Sequence, residues 1–257
     1  MTTDNRTNKT ALVTGGSRGI GRSISLRLAQ GGVLVAVHFG HDAKAARETV
    51  EQIQAAGGQA FAIQAELGVP GDAHELWTAF DEGLARHGAR PGLDILVNNA
   101  GVTLPKGITE ASEEEYDRVF AVNVKAPFFI IQQGLCRLRD GGRIISVSSA
   151  AARIAIPHIV AYAMTKAALN TLTLTLAQQL GTRGITVNAV APAFVKTDIN
   201  PTLAQPHILA AAASASVFNR IGEPSDIADV VSFVASDQAR WVTGHCLDAT
   251  GGTHLGV

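Results

Sequence analysis

Thr14-Gly15-Gly16-Ser17-Arg18-Gly19-Ile20-Gly21 decides the fold through what stands on either side of it. An apolar run over residues 11–14 precedes it as a short strand would, and a helical pattern over 19–30 follows. Glycine permits positive φ and lets the backbone approach a phosphate closely, while a helix N-terminus offers free N–H groups to an anion. The spacing is G-x-x-x-G-x-G, not the G-x-G-x-x-G of the best-known dinucleotide fingerprint. A tight strand-to-helix turn would account for one glycine but hardly for three. The stretch therefore predicts a dinucleotide site, with Gly15, Ser17, Arg18, Gly19, Ile20 and Gly21 as contacts.

Outward from this turn, short apolar runs alternate with longer helical patterns to the end of the chain. Strands are expected over 11–14, 34–38, 60–64, 95–98, 143–148, 186–191 and 246–249. Helices are expected near 19–30, 43–56, 72–87, 112–137, 161–180 and 226–235, the fourth opened by the capping box Ser112-Glu113-Glu114-Glu115. Several strands show little polar alternation, as parallel strands covered on both faces do. The pattern gives an α/β fold, a Rossmann-type doubly wound parallel sheet of about seven strands with helices on both faces. No Pro/Gly/Ser-rich linker or internal repeat divides the chain, so one domain is expected over 10–257 after a flexible polar tail over 1–9.

Composition narrows the function. Hydrophobic residues at 46% and charged residues at 17% suit a well-covered core, and a net charge of −1 gives no reason to expect nucleic acid. Cys136 and Cys246 cannot build a disulfide framework and point to reduced thiols in the cytoplasm. The eight histidines show no HExxH spacing, and the pair His38/His41 lacks a third ligand, so no metal is expected. No apolar run approaches a membrane span, and residues 1–9 lack the apolar core of a signal peptide.

Which dinucleotide binds is a question of charge. NAD-specific sites in such folds place an acid after the second strand, on the ribose hydroxyls. Here Val37-His38-Phe39-Gly40-His41 stands at that place and no acid comes before Asp42. Arg18 is read as facing a 2′-phosphate, assisted by His38 or His41; the bland alternative is a solvated arginine on the first helical turn. NADP(H) is preferred, with NAD(H) as the alternative.

Tyr162-Ala163-Met164-Thr165-Lys166, with Ser149 thirteen residues upstream, supplies a phenol, an ammonium and a hydroxyl. On a helix, positions i and i+4 share a face, which sets the ammonium beside the phenol. Standing alone, the pair would read as a tyrosine packed on a lysine stem.

With these residues assembled, the chain resembles the short-chain dehydrogenase/reductase family over nearly its whole length. TGGSRGIG matches the cofactor turn of that family, and Asn98-Asn99-Ala100-Gly101 the motif supporting the central sheet beside the adenosine. Asn123 stands at the fourth catalytic position, and Ser149, Tyr162 and Lys166 follow in family order; that spacing selects Ser149 over Ser148. Arg220-Ile221-Gly222-Glu223-Pro224, Thr243-Gly244 and Gly251-Gly252 look like the bacterial 3-oxoacyl-carrier-protein reductases. Two departures stand out: Glu66 where relatives usually have Asp near the adenine, and Pro192-Ala193 where they have Pro-Gly beneath the nicotinamide.

The resemblance implies further cofactor contacts at His38, Glu66, Leu67, Asn99, Ala100, Gly101, Tyr162, Lys166, Pro192, Val195 and Thr197. It implies reduction of a ketone by hydride from NADPH, with Tyr162 as general acid and Ser149 polarising the substrate oxygen. Lys166 and the positive nicotinamide of NADP⁺ would lower the tyrosine pKa from about 10, Lys166 would also bind the nicotinamide ribose, and Asn123 would hold a water that passes protons to Lys166. The implied substrate is a small ketone or acyl thioester, received under a lid near 194–219 whose small apolar residues suit an acyl chain or ring. An acyl carrier protein is a candidate partner, for which Arg137, Arg139 and Arg183 would provide docking charge. An NAD-dependent alcohol, polyol or steroid dehydrogenase is the alternative, and a non-catalytic dinucleotide sensor or scaffold the more remote one. Relatives assemble as tetramers or dimers through the helices around 112–137 and 161–180, and the apolar stretch over 126–131 suits either an interface or core. His158 lies in a loop that in relatives often lines the substrate pocket.

Overall fold

Ala11 and Leu12 are neighbours in sequence, point to opposite sides of one sheet, and are both completely buried. Both faces of the sheet are thus covered, which is why its strands alternate so little in polarity. The computed structural model describes residues 9–197, 199, 203 and 205–253. Its strands are β1 (Thr10–Val13), β2 (Leu34–Phe39), β3 (Gln59–Gln64), β4 (Leu93–Asn98), β5 (Leu138–Val147), β6 (Thr186–Pro192) and β7 (Cys246–Ala249). They form one seven-stranded sheet, parallel throughout, in the order β3-β2-β1-β4-β5-β6-β7.

Two apolar layers sandwich this sheet. On one face, Leu12, Leu96 and Ile144 meet α3 (Asp72–Arg86), α5 (Ala126–Gly134) and α6 (Val160–Leu180), with Trp77 and Phe80 at the centre. On the other, Val13, Val35, Val97 and Ile145 meet α1 (Gly19–Gln30), α2 (Ala43–Ala55) and α8 (Pro224–Val234) through Ile24, Leu28, Ile53 and Val231. Strand order reverses between β1 and its neighbours β2 and β4, and a crevice outside the carboxyl ends of the strands at such a point is where these sheets hold ligands.

Three departures from the sequence expectation have physical causes. The helix expected over 112–137 is broken into α4 (Glu113–Phe120), a π turn (Ala121–Lys125) and α5. β5 begins at Leu138 rather than 143: Leu138 pairs with Leu93, the register shifts across Gly141-Gly142, and Arg143 resumes pairing with Ile95. Within the segment expected to form a lid, α7 (Pro206–Ser214) forms over the alanine-rich stretch. A parallel bridge joins Val195 to Gly222, with Gly222 N donating to Phe194 O at 2.8 Å. Asp198 and nearly all of the tail over 1–9 lie outside the described residues.

Candidate active site

The glycine turn is built by exclusion. A Cβ on Gly21 would stand 2.1 Å from Gly15 O, and Gly15 itself sits at φ +61, so neither position takes a side chain without moving the turn. Neighbouring segments hold the turn in place. Asn99 Nδ2 donates to Thr14 O at 2.9 Å and Gly15 O at 3.1 Å, while Thr14 Oγ1 accepts from the N–H groups of Asn99 and Ala100, both at 3.0 Å. Arg22 Nε donates to Ser17 O and Thr49 Oγ1, each at 2.9 Å, tying the turn to α2. These bonds consume the outward groups of the turn and leave its inner edge facing a cleft of about 430 Å³, a size usual for small-molecule sites.

Every residue nominated from sequence for cofactor contact lines this one cleft: the turn residues, His38, Glu66 and Leu67, Asn99 to Gly101, Pro192, Val195, Thr197, Tyr162 and Lys166. Ser149 lines it too. Arg18 caps α1 with an exposed side chain that makes no ion pair among the described residues. Glu66 is half exposed and lies 3.8 Å from Arg118 Nη2 and 4.0 Å from His41 Nε2. Arg118, which reaches the cleft from α4 and approaches Leu67 O, was not legible in the sequence: only the packing of α4 beside the end of β3 brings it there.

His38 corrects one expectation. Its side chain is 2% exposed, Nδ1 accepts from Gly15 N at 3.0 Å, and Nε2 lies 2.9 Å from Ala65 O. An Nδ1 that accepts leaves the proton on Nε2, so the ring is neutral; burial pulls its pKa down to about 4, against a smaller upward pull from Ala65 O. It is therefore no cation for a 2′-phosphate. Of the two histidines proposed to assist Arg18, only His41 is exposed.

The side chains nominated for catalysis come from the turn after β5 and from α6. Ser149 follows β5 in extended backbone and accepts from Ala151 N at 3.2 Å, capping a short 3-10 turn. Ser148 turns the other way: its Oγ lies 2.7 Å from Asn170 Oδ1 and 3.2 Å from Lys166 O, and its one proton serves the shorter contact. Tyr162 and Lys166 share one face of α6, with Lys166 Nζ 5.6 Å from the centre of the phenol ring and donating to Val147 O at 2.8 Å. Burial lowers the Lys166 pKa to about 8. Burial also raises that of Tyr162, opposed by a hydrogen bond from Ser149. Within the protein alone, desolvation of the phenolate outweighs the available donors; the depression expected from the sequence also counts the positive charge of the bound nicotinamide.

Asn123 sits in the π turn, buried, and does not line the cleft. Both amide donors are engaged and Oδ1 is half used: Oδ1 accepts from Val102 N at 2.9 Å, and Nδ2 donates to Val102 O at 2.9 Å and Thr165 Oγ1 at 3.1 Å. Among the described residues Oδ1 keeps a second lone pair with which to accept from a water. Asn98, by contrast, is buried with neither side-chain atom hydrogen-bonded among the described residues.

The arginines nominated for carrier docking lie elsewhere. Arg137 and Arg139 flank the start of β5 and Arg183 precedes β6, at the end of the sheet opposite the cleft. Each is ion-paired, to Asp81, Asp94 and Asp140 respectively. His158 is exposed and does not line the cleft. Among the described residues no helix is long and apolar enough to cross a membrane, and no cluster of three metal-ligating side chains occurs.

A family model described as Enoyl-(Acyl carrier protein) reductase matches residues 15–254. The crystal structure of the angucycline C-6 ketoreductase LanV with bound NADP superposes with a TM-score of 0.94 at 50% identity, covering 98% of each chain. Hydroxynaphthalene reductase arp2 of Aspergillus fumigatus is 42% identical, covering 92% of this chain and 89% of its own. The 3-oxoacyl-[acyl-carrier-protein] reductase FabG of Staphylococcus aureus is 39% identical, covering 96% of this chain and 98% of its own.

Proposed function

The chain belongs to the short-chain dehydrogenase/reductase family of oxidoreductases, and on that premise we propose that it is an NADPH-dependent ketoreductase acting on a free ring ketone. The observation that carries this reading is the meeting of Ser149, Tyr162 and Lys166 with the glycine turn in one cleft. The residues fit a dinucleotide phosphate: the turn has no room for a Cβ at Gly21, α1 presents its N-terminus, and Arg18 is unpaired among the described residues. Bound there, NADPH supplies hydride to the carbonyl carbon.

The protein's own groups handle the proton. A phenol kept protonated by burial is the acid that ketone reduction needs, and Tyr162 gives its proton to the carbonyl oxygen as charge develops there. Ser149 polarises the same oxygen. The Lys166 ammonium stabilises the resulting phenolate, and with a pKa of about 8 it can exchange a proton near neutrality. Gly101 keeps space open beside it: a Cβ there would lie 3.3 Å from Asn123 Oδ1 and 3.6 Å from Lys166 Nζ. Recharging Lys166 through that space would use a water held on Asn123, whose Oδ1 keeps one acceptor site there.

The substrate reading rests on charge and on relatives. LanV and arp2 carry names that specify ring ketones or hydroxyarenes. Ile199, which lines the cleft, is apolar and exposed. Of the cations lining the cleft among the described residues, Arg118 faces Glu66 at 3.8 Å, Lys166 is buried and Arg18 is assigned to the nucleotide phosphate, which leaves none for an acidic carrier. A carrier-bound β-ketoacyl thioester is the second reading, favoured by the likeness to FabG over nearly its whole length. Assembly through α5 and α6 would cover the exposed Phe128 and Leu174; the rest of the stretch over 126–131 is mostly core.

NADPH oxidation measured side by side with a fused-ring ketone and a short β-ketoacyl thioester tests this. Turnover of the ring ketone that vanishes in Tyr162→Phe is expected; turnover of the thioester alone would replace the substrate reading while leaving the ketoreductase.

A further inference from the structure

The chemistry proposed above makes no use of the buried imidazole of His38, yet that ring joins the two walls of the nucleotide cleft. One wall is the glycine turn, reached through Nδ1 accepting from Gly15 N. The other is the segment after β3, reached through Nε2 donating to Ala65 O, immediately before Glu66 and Leu67. The backbone reinforces both sides, with Gly16 N donating to His38 O at 2.8 Å and Ala65 N to Phe39 O at 3.2 Å. A neutral imidazole carries an acceptor and a donor at fixed separation on one rigid ring. Gly15 has little slack, since a Cβ there would stand 3.0 Å from Ala100 Cα, so the bond to His38 fixes a position with few alternatives.

We propose that His38 is a positioning residue that sets the spacing between the glycine turn and residues 65–67, and through it the affinity for the adenosine half of the nucleotide. The proposal rests on the reading of the cleft as an NADP(H) site. It assigns His38 no part in hydride or proton transfer, because Ser149, Tyr162 and Lys166 are carried by other elements.

The test is a binding series with NADPH and with 2′-phospho-ADP-ribose, which lacks the nicotinamide, followed by calorimetry. His38→Leu keeps the bulk and removes both bonds; His38→Asn places an oxygen where Nδ1 accepts; His38→Gln reaches only Ala65. The expected result is at least a tenfold rise in Kd for both ligands in the Leu variant, with kcat at saturating NADPH and ketone within about twofold of wild type. The Asn variant should recover most of that loss. A folded Leu variant that binds with the wild-type Kd overturns the proposal, as does an Asn variant no better than Leu. Should the Leu variant not fold, the remaining pair decides: Gln must bind at least fivefold more weakly than Asn, and equal affinities overturn the proposal. A wild-type protein that fails to bind NADPH removes the functional reading and this proposal together, whereas normal wild-type binding with an unaffected Leu variant removes this proposal alone.

Discussion

Lys166 holds its ammonium 5.6 Å from the centre of the Tyr162 ring while donating to Val147 O, so one cation both faces the phenol and closes off β5. Burial has moved its pKa from 10.5 down to about 8, whereas that of Tyr162 is raised. The alkaline limb of kcat/KM for reduction should therefore follow loss of the Lys166 proton, with an apparent pKa near 8, before the tyrosine titrates. Stability should move the other way. Between pH 8 and 10.5 the unfolded chain binds more protons than the folded one, so stability rises with pH, by up to about 3 kcal/mol from this group. Rate profiles and denaturant unfolding over pH 7–10.5 check this: falling activity with rising stability is expected, and parallel loss of both would assign the limb to unfolding instead.

Removing the proton donor should leave the binding apparatus alone. Tyr162→Phe is expected to lower kcat by at least about 1,000-fold, with Kd for NADPH within about threefold, because the glycine turn is held by Asn99, Thr14 and Arg22. Ser149→Ala, which removes one donor to the developing oxyanion and the bond that opposes the rise in the Tyr162 pKa, should cost about 100-fold. Stopped-flow NADPH binding alongside steady-state rates separates the two effects; loss of binding together with turnover would place Tyr162 in the scaffold.

Cofactor choice should hang on Arg18. A charge-assisted contact to a 2′-phosphate is worth about 1.5–3 kcal/mol, so Arg18→Ala is expected to raise the KM for NADPH by roughly 10- to 100-fold. The KM for NADH should stay within about twofold, and the discrimination should weaken with added salt because the side chain is exposed. Paired NADPH and NADH titrations at low and high ionic strength read this directly; equal losses for both nucleotides would return Arg18 to a solvated position.

The glycine turn and the Tyr162–Lys166 pair were legible in the sequence because each is local: one needs only a strand and a helix beside it, the other only the helical repeat. The same locality explains the strands, whose unalternating apolar runs report burial on both faces. What escaped depended on distant segments. His38 reads in sequence as a candidate cation and becomes a neutral strut only because Gly15 and Ala65 close over it. Asn123 reads as a catalytic residue, and the contacts to Val102 and Thr165 that fix its amide come from segments no local pattern joins to it. Arg137, Arg139 and Arg183 form a basic cluster in composition, yet the start of β5 and the approach to β6 carry them to the far end of the sheet. Arg118 enters the cleft from a helix that no periodicity places there.

The neutral His38 should leave a signature in acid. Its folded pKa of about 4 lies below the ordinary 6.5, so between those values the unfolded chain takes up a proton that the folded chain refuses. The stability this ring contributes is complete above pH 6.5 and is lost as pH falls toward 4, to an extent of about 3 kcal/mol. His38→Asn has no proton to gain there while keeping an acceptor for Gly15 N. Urea unfolding at intervals from pH 7 to 4 should thus give a steeper decline for wild type than for the Asn variant, the two curves converging or crossing at the acid end even if Asn is the less stable at pH 7. Parallel curves would mean that the ring takes up its proton in the folded state as readily as in the unfolded one, and that Nδ1 is not committed to Gly15.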